Sequence, residues 1–276
     1  MNNERSGFTG KIGFILAAAG SAVGLGNLWR FPYLAAQYGG GIFLLIYLIL
    51  AVSFGFALMT AEIALGRKTG LSAIGAYAAL DKRFAFVGVL TSLVPMIILP
   101  YYSVIGGWVT KYLFDFAIGN GLAAANDSYF TAFISRTGEP VFWFTVFMGL
   151  TALVVLFGVE NGVEKVSKFM MPVLVVLSVV IAIYSVTRPG AGAGLEYYLK
   201  PDFSKFSVKT VLAAMGQLFY SMSLAMGIMI TYGSYMKKEV NLESSVRQIE
   251  IFDTGIAFFA GLMIIPAVFV FSGGDE

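Results

Sequence analysis

The chain has 276 residues, 58% of them hydrophobic and 12% charged, with a mean hydropathy of +0.81 and a formal net charge of +2. A soluble domain carries about 25% charged residues, so this is the composition of an all-α polytopic membrane protein whose solvent is a lipid bilayer. The absence of Cys and His excludes disulfides, thiol redox chemistry and the usual metal ligand and general base, and the scattered charges offer no footprint for nucleic acid.

Seven apolar segments reach the roughly 20 residues that a bilayer requires: 11–37, 41–66, 84–118, 140–158, 166–186, 208–236 and 249–271. The first is too long and too rich in glycine for a cleavable signal peptide. Connectors are short except 119–139 and 187–207, which are rich in Gly, Asn, Asp, Ser and Pro. Of the 18 Lys and Arg, eleven lie on the side of the N-terminus and seven on the other. Basic residues favour the cytoplasmic face, so the N-terminus is expected in the cytoplasm of a protein of the inner, plasma membrane.

The first segment contains AAAGSAVGLGNLWRFP at 17–32. Glycine costs about 1 kcal/mol in a helix interior, and a backbone group freed in hydrocarbon must find a partner inside the protein. Gly20, Gly24 and Gly26 followed by Asn27 and Arg30 therefore predict a broken helix. Close helix packing through small residues is the plainer reading of the glycines, but polar groups at membrane depth usually face a cavity or pathway.

In the sixth segment GQLFYSMSLAMG, at 216–227, places Gly216, Gln217, Ser221, Ser223 and Gly227 near mid-span. Membrane serines commonly bond back to their own helix, which is the reading taken for Ser234. Two interrupted spans in corresponding places, however, are the sequence pattern of a transporter site at the bilayer midplane.

The motif AGSAVGLGNLWRFP, with GGGIFLLIY, ALMTAEIALGR, YYSVIGGW, FGVENGVEKVSKFMMP, GQLFYSMSLAMG and FDTGIAFFAGLMIIPAVF following in order, resembles the neurotransmitter:sodium symporter family in its bacterial amino-acid branch. The resemblance implies the first seven helices of a 5+5 inverted-repeat transporter with broken helices 1 and 6. Residues 1–276 then form a single, incomplete transmembrane domain, with 11–187 the first five-helix repeat and 208–276 the first two helices of the second. The family has eleven or twelve spans, so the chain is expected to be truncated after the seventh.

The function implied is sodium-coupled symport of a small hydrophobic or aromatic amino acid by alternating access. The alternative is a truncated, transport-incompetent fragment or interaction remnant of such a transporter. An enzyme is not expected, and no organic cofactor. Sodium ions are cargo, the amino acid is the substrate, and a homo-oligomer remains an option.

Position by position, the resemblance assigns one sodium ion to Ala22, Asn27, Ser221 and Asp253, and a second to the carbonyls of Gly20 and Val23. The substrate carboxylate would meet the N–H groups of Leu25 and Gly26 and the hydroxyl of Tyr102. The ammonium would meet Ala22, Tyr220 and Ser221, with Ser223 helping. Ile98, Tyr102, Ile105, Tyr220 and Met226 would line the side-chain pocket. Gly24 stands where monoamine-carrying relatives have an aspartate, and so favours a substrate with its own carboxylate. Arg30 and Arg5 would gate the outside and the inside, and Glu62 would support the unwound sixth helix.

Asp253 replaces the family's usual amide. Chloride-dependent relatives hold an anion nearby, at positions matching Tyr47, Gln217, Ser221 and Ala257, so a fixed carboxylate here predicts chloride independence. The alternative is a protonated or locally paired acid at the cytoplasmic end.

Overall fold

The computed structural model describes residues 8–272. It is helical, and the extended pairing among these residues is one isolated bridge between Gly40 and Pro201. The first expected span is two helices, α1 (Lys11–Ala22) and α2 (Phe31–Gln37), joined through a π-type turn at Gly26–Arg30 and bent by 48°. The second span is α3 (Gly41–Leu50) running through a π-type turn at Ala51–Gly55 into α4 (Phe56–Thr69), followed by the short α5 (Ala73–Leu80).

The next spans are α6 (Ala85–Ala117), α9 (Gly138–Leu156) and α10 (Lys165–Val186), the last preceded by a π-type turn at Val159–Glu164. The polar connectors fold into helices of their own. The first holds α7 (Gly121–Ala124) and α8 (Asp127–Ile134), the second α11 (Ala191–Leu199). Asn126 starts α8 by accepting from the Ser128 N–H, the usual N-cap chemistry.

Among the described residues five helical stretches are long and apolar enough to cross a membrane by themselves, and the bent α1–α2 pair makes a sixth. The expected sixth span does not qualify as a continuous helix. It is α12 (Val208–Ser221) and α13 (Ile228–Ser234), and the residues between have left-handed backbone at Ser223, Ala225 and Gly227. Two of these are not glycine, a conformation costing about 1–2 kcal/mol per residue that persists only where the surroundings fix it. The last span, α14 (Leu242–Ser272), starts seven residues earlier than expected. Ser234 bonds back to the Thr231 carbonyl at 2.7 Å, as expected.

The core lies where the broken helices meet their neighbours. Phe14, Phe31, Phe43, Tyr47, Met59, Leu218 and Met222 are almost fully buried. Around them α9 has no buried residue, and Ile97 and Leu156 are exposed. Helices apolar on all sides suit a bilayer rather than water.

Candidate functional site

The break in the first span comes from its own sequence. After Ala22 the chain turns extended at Val23, and the last carbonyls of α1 have no donor within the helix. The freed amides find partners: Gly24 N–H donates to Asn27 Oδ1 at 3.1 Å, and Leu25 N–H donates to the Tyr102 hydroxyl at 2.9 Å. A Cβ on Gly24 would overlap that hydroxyl, so glycine is required for the close approach.

The second break is held from outside. Glu62 Oε1 accepts the Ala225 N–H at 2.7 Å, the support expected for it, and the Ser223 hydroxyl reaches the Ser21 carbonyl at 3.4 Å. Ser223 thereby ties the two breaks together.

Between the breaks lies a buried polar cluster. Asn27, Ser221, Asp253 and Tyr47 are all 1% exposed or less. Asp253 Oδ1 accepts from Asn27 Nδ2 and from the Ser221 hydroxyl, both at 2.8 Å, and its Oδ2 accepts from Tyr47 at 3.2 Å. The Asp253 carbonyl takes a second bond from Asn27 at 2.9 Å. Three elements far apart in sequence thus converge on one carboxylate with oxygen-rich surroundings, a donor set suited to a hard cation. Asp253 lies inside α14, and its side-chain partners come from other elements of the chain rather than from its own helix.

Beside the cluster is a cavity of about 290 Å³, lined by Gly20, Ser21, Ala22, Gly26, Pro95, Ile98, Leu99, Tyr102, Tyr220, Ser223, Met226 and Ile228. Most residues expected around a substrate line it. Gly24 and Leu25 stand at its edge through Tyr102, Ser221 belongs to the polar cluster, and Ile105 is buried in α6 outside the lining. Val23 is buried at the end of α1.

Arg30 is fixed above the cavity. Its guanidinium donates to Gln217 Oε1 at 2.8 Å and lies 5.2 Å from the Tyr220 ring. Gln217 in turn donates to the Gly26 carbonyl at 2.8 Å. Of the expected anion-site positions, Gln217 therefore braces the broken first helix against Arg30, while Tyr47 and Ser221 join Asn27 in bonding to Asp253. The sequence places Gln217 in a polar patch and among the anion-site positions but does not reveal this brace, nor does it mark Ser21, Pro95, Leu99 and Ile228 as lining residues. Arg5 lies outside the described residues. Among the described residues no group of three or more Asp or Glu converges as a metal site.

Two interrupted spans enclosing a buried acid–amide–hydroxyl cluster and an adjacent apolar cavity define a multi-pass membrane protein of the discontinuous-helix class. The sequence model of the sodium:neurotransmitter symporter family matches residues 5–132 and 125–273, and the chain belongs to that family, one of secondary transporters rather than enzymes. It is 39% identical over 266 residues to an uncharacterized sodium-dependent transporter, YhdH, of Bacillus subtilis, covering 95% of this chain and 59% of that protein. It is 30% identical to the sodium- and chloride-dependent taurine transporter of Homo sapiens, covering 95% of this chain and 49% of that one. The crystal structure of MhsT in complex with L-phenylalanine superposes with a TM-score of 0.91 at 39% identity, over 99% of this chain and 64% of MhsT. The chain thus spans about three fifths of the bacterial relatives it matches, and its fold matches 64% of the MhsT chain.

Proposed function

We propose that this chain forms the substrate-binding and ion-binding part of a sodium-coupled symporter for a hydrophobic or aromatic amino acid. The observation that carries the reading is the convergence of Asn27, Ser221 and Asp253 beside a cavity bounded by both broken helices. One sodium ion would take the Ala22 carbonyl, the Asn27 side-chain oxygen, Ser221 and Asp253, and a second the carbonyls of Gly20 and Val23. A substrate carboxylate would face Leu25, Gly26 and Tyr102, and its ammonium the carbonyls of Ala22, Tyr220 and Ser221. Ile98, Tyr220 and Met226 offer an apolar wall, with Met226 adaptable in shape. Binding of phenylalanine by MhsT, a relative of closely similar fold, favours this substrate class.

In this reading the protein lies in the plasma membrane with its N-terminus cytoplasmic, and 11–187 and 208–276 belong to the two inverted repeats. Sodium and substrate close the outer side beneath Arg30, and rocking of the first, second, sixth and seventh spans against the others opens the inner side. The gradient supplies about 2.3 kcal/mol per charge per 100 mV. The test is uptake of labelled amino acids into proteoliposomes under an inward sodium gradient, with Asn27→Ala as control. Uptake that is indifferent to sodium, or to this substitution, would contradict the proposal.

A further inference from the structure

At the opposite end of α1 from the cavity lies a second buried polar cluster. The Glu164 carboxylate, at the end of the π-type turn before α10, has a side chain 1% exposed. It accepts the Thr9 N–H at 2.9 Å, the Thr9 hydroxyl, and the Lys168 ammonium at 2.6 Å. Lys168 also donates to the Thr9 hydroxyl at 3.1 Å. Gly13, on the first turn of α1, faces the same carboxylate so closely that a Cβ there would overlap it.

The other contacts of this segment run the opposite way. Phe8 N–H donates to the Tyr235 carbonyl at 3.4 Å and its ring stacks on Tyr232 at 5.8 Å. Lys11 donates to Ser244 at 2.8 Å, and Lys237 to the Thr9 carbonyl at 3.3 Å. Those partners sit on α13, on α14 and in the loop joining them, the elements that rock together with α1 in the reading above. Among the described residues, the hydrogen bonds of 8–13 that cross to α10 and the turn before it are those of Glu164 and Lys168.

We propose that Glu164 is a positioning residue for the inner gate: with Lys168 it latches Thr9, and with it the lower end of α1, to α10, and the latch must open before the cavity can be reached from the cytoplasmic side. This rests on the rocking-bundle reading. The chemistry suits a latch. Hydrogen bonds to a charged group are about twice as strong as neutral ones, yet Lys168 is 41% exposed, so water can replace Thr9 as its partner when the helix moves. The carboxylate is the cluster's only acceptor strong enough to hold the backbone N–H, the hydroxyl and the ammonium together.

The chain is free of cysteine, so one introduced thiol reports on one place. Ala17→Cys, buried on α1, and Ala260→Cys, buried on α14, would each be labelled in nanodiscs with a membrane-impermeant maleimide. Glu164→Gln is expected to raise labelling at position 17 roughly tenfold, the weight of one charge-assisted hydrogen bond, and to leave position 260 unchanged. Lys168→Arg, which keeps a donor to the carboxylate, should hold the parent rate, and Lys168→Met should raise it. An unchanged rate at 17, or an equal rise at 260, would overturn the latch. If Glu164→Gln does not fold, Lys168→Met decides by the same criterion. Sodium that fails to alter the parent's labelling would count against the transport reading alone, because the latch is judged from variant over parent at a fixed cation.

Discussion

The Asn27 side-chain amide donates to both the carboxylate and the carbonyl of Asp253, at 2.8 and 2.9 Å, joining the break in the first span to the middle of the last described one. The same side chain accepts the Gly24 N–H through its oxygen, so one residue shapes the break with its oxygen and ties it to the Asp253 cluster with its nitrogen. Asn27→Ala removes both. Sodium affinity, read by titrating sodium-dependent substrate binding, is expected to fall at least tenfold.

In the proposed reading the Asp253 carboxylate supplies the negative charge that an anion would supply in the sodium- and chloride-dependent relatives. Sodium-dependent substrate binding should therefore be unchanged when gluconate replaces chloride. Asp253→Asn, which keeps the size of the side chain, should make binding fall on the same exchange.

Gly24 and Tyr102 are coupled by contact. Gly24→Ala should weaken amino-acid binding about tenfold or more, because the added methyl overlaps the Tyr102 hydroxyl and that hydroxyl holds Leu25. Tyr102→Phe should weaken it by a comparable factor through the lost hydrogen bond, worth about 0.5–1.5 kcal/mol. The double variant should bind about as well as Tyr102→Phe alone, because the overlap is gone. A double-mutant cycle on substrate affinity checks this non-additivity.

Met226 forms part of the apolar wall of the cavity. Met226→Ala should shift preference toward larger side chains, raising tryptophan relative to leucine several-fold in competition binding.

Glu62 satisfies the Ala225 N–H in the strained second break. Glu62→Gln retains an acceptor oxygen and should be mild. Glu62→Ala leaves a buried donor unpaired, at a cost of about 1–3 kcal/mol, and should lower the midpoint of thermal unfolding in detergent by several degrees.

Much of this arrangement is written locally. The first break is legible because Gly24, Gly26 and Asn27 are poor helix residues at membrane depth, and the second is marked by Gln217, Ser221 and Gly227. The extent of the second break is not, since Ser223 and Ala225 have no intrinsic preference for left-handed backbone and owe it to Glu62 and Ser21. Helices α7, α8 and α11 are hidden because Asn, Gly and Ser read as loop while Asn126 serves as a cap. In sequence Glu164 and Lys168 have only the spacing of an ordinary (i, i+4) helix pair. Their contacts with Thr9, 155 and 159 residues away in sequence, exist only in the folded chain.

The central claim is that Asn27, Ser221 and Asp253 hold a sodium ion that binds together with an amino acid. The most direct measurement is equilibrium binding of labelled phenylalanine to the purified, reconstituted protein in sodium and in potassium, with and without Asn27→Ala. The account predicts binding at least tenfold stronger in sodium, and loss of that difference in the variant. Equal binding in the two cations, or a sodium effect untouched by Asn27→Ala, would contradict it.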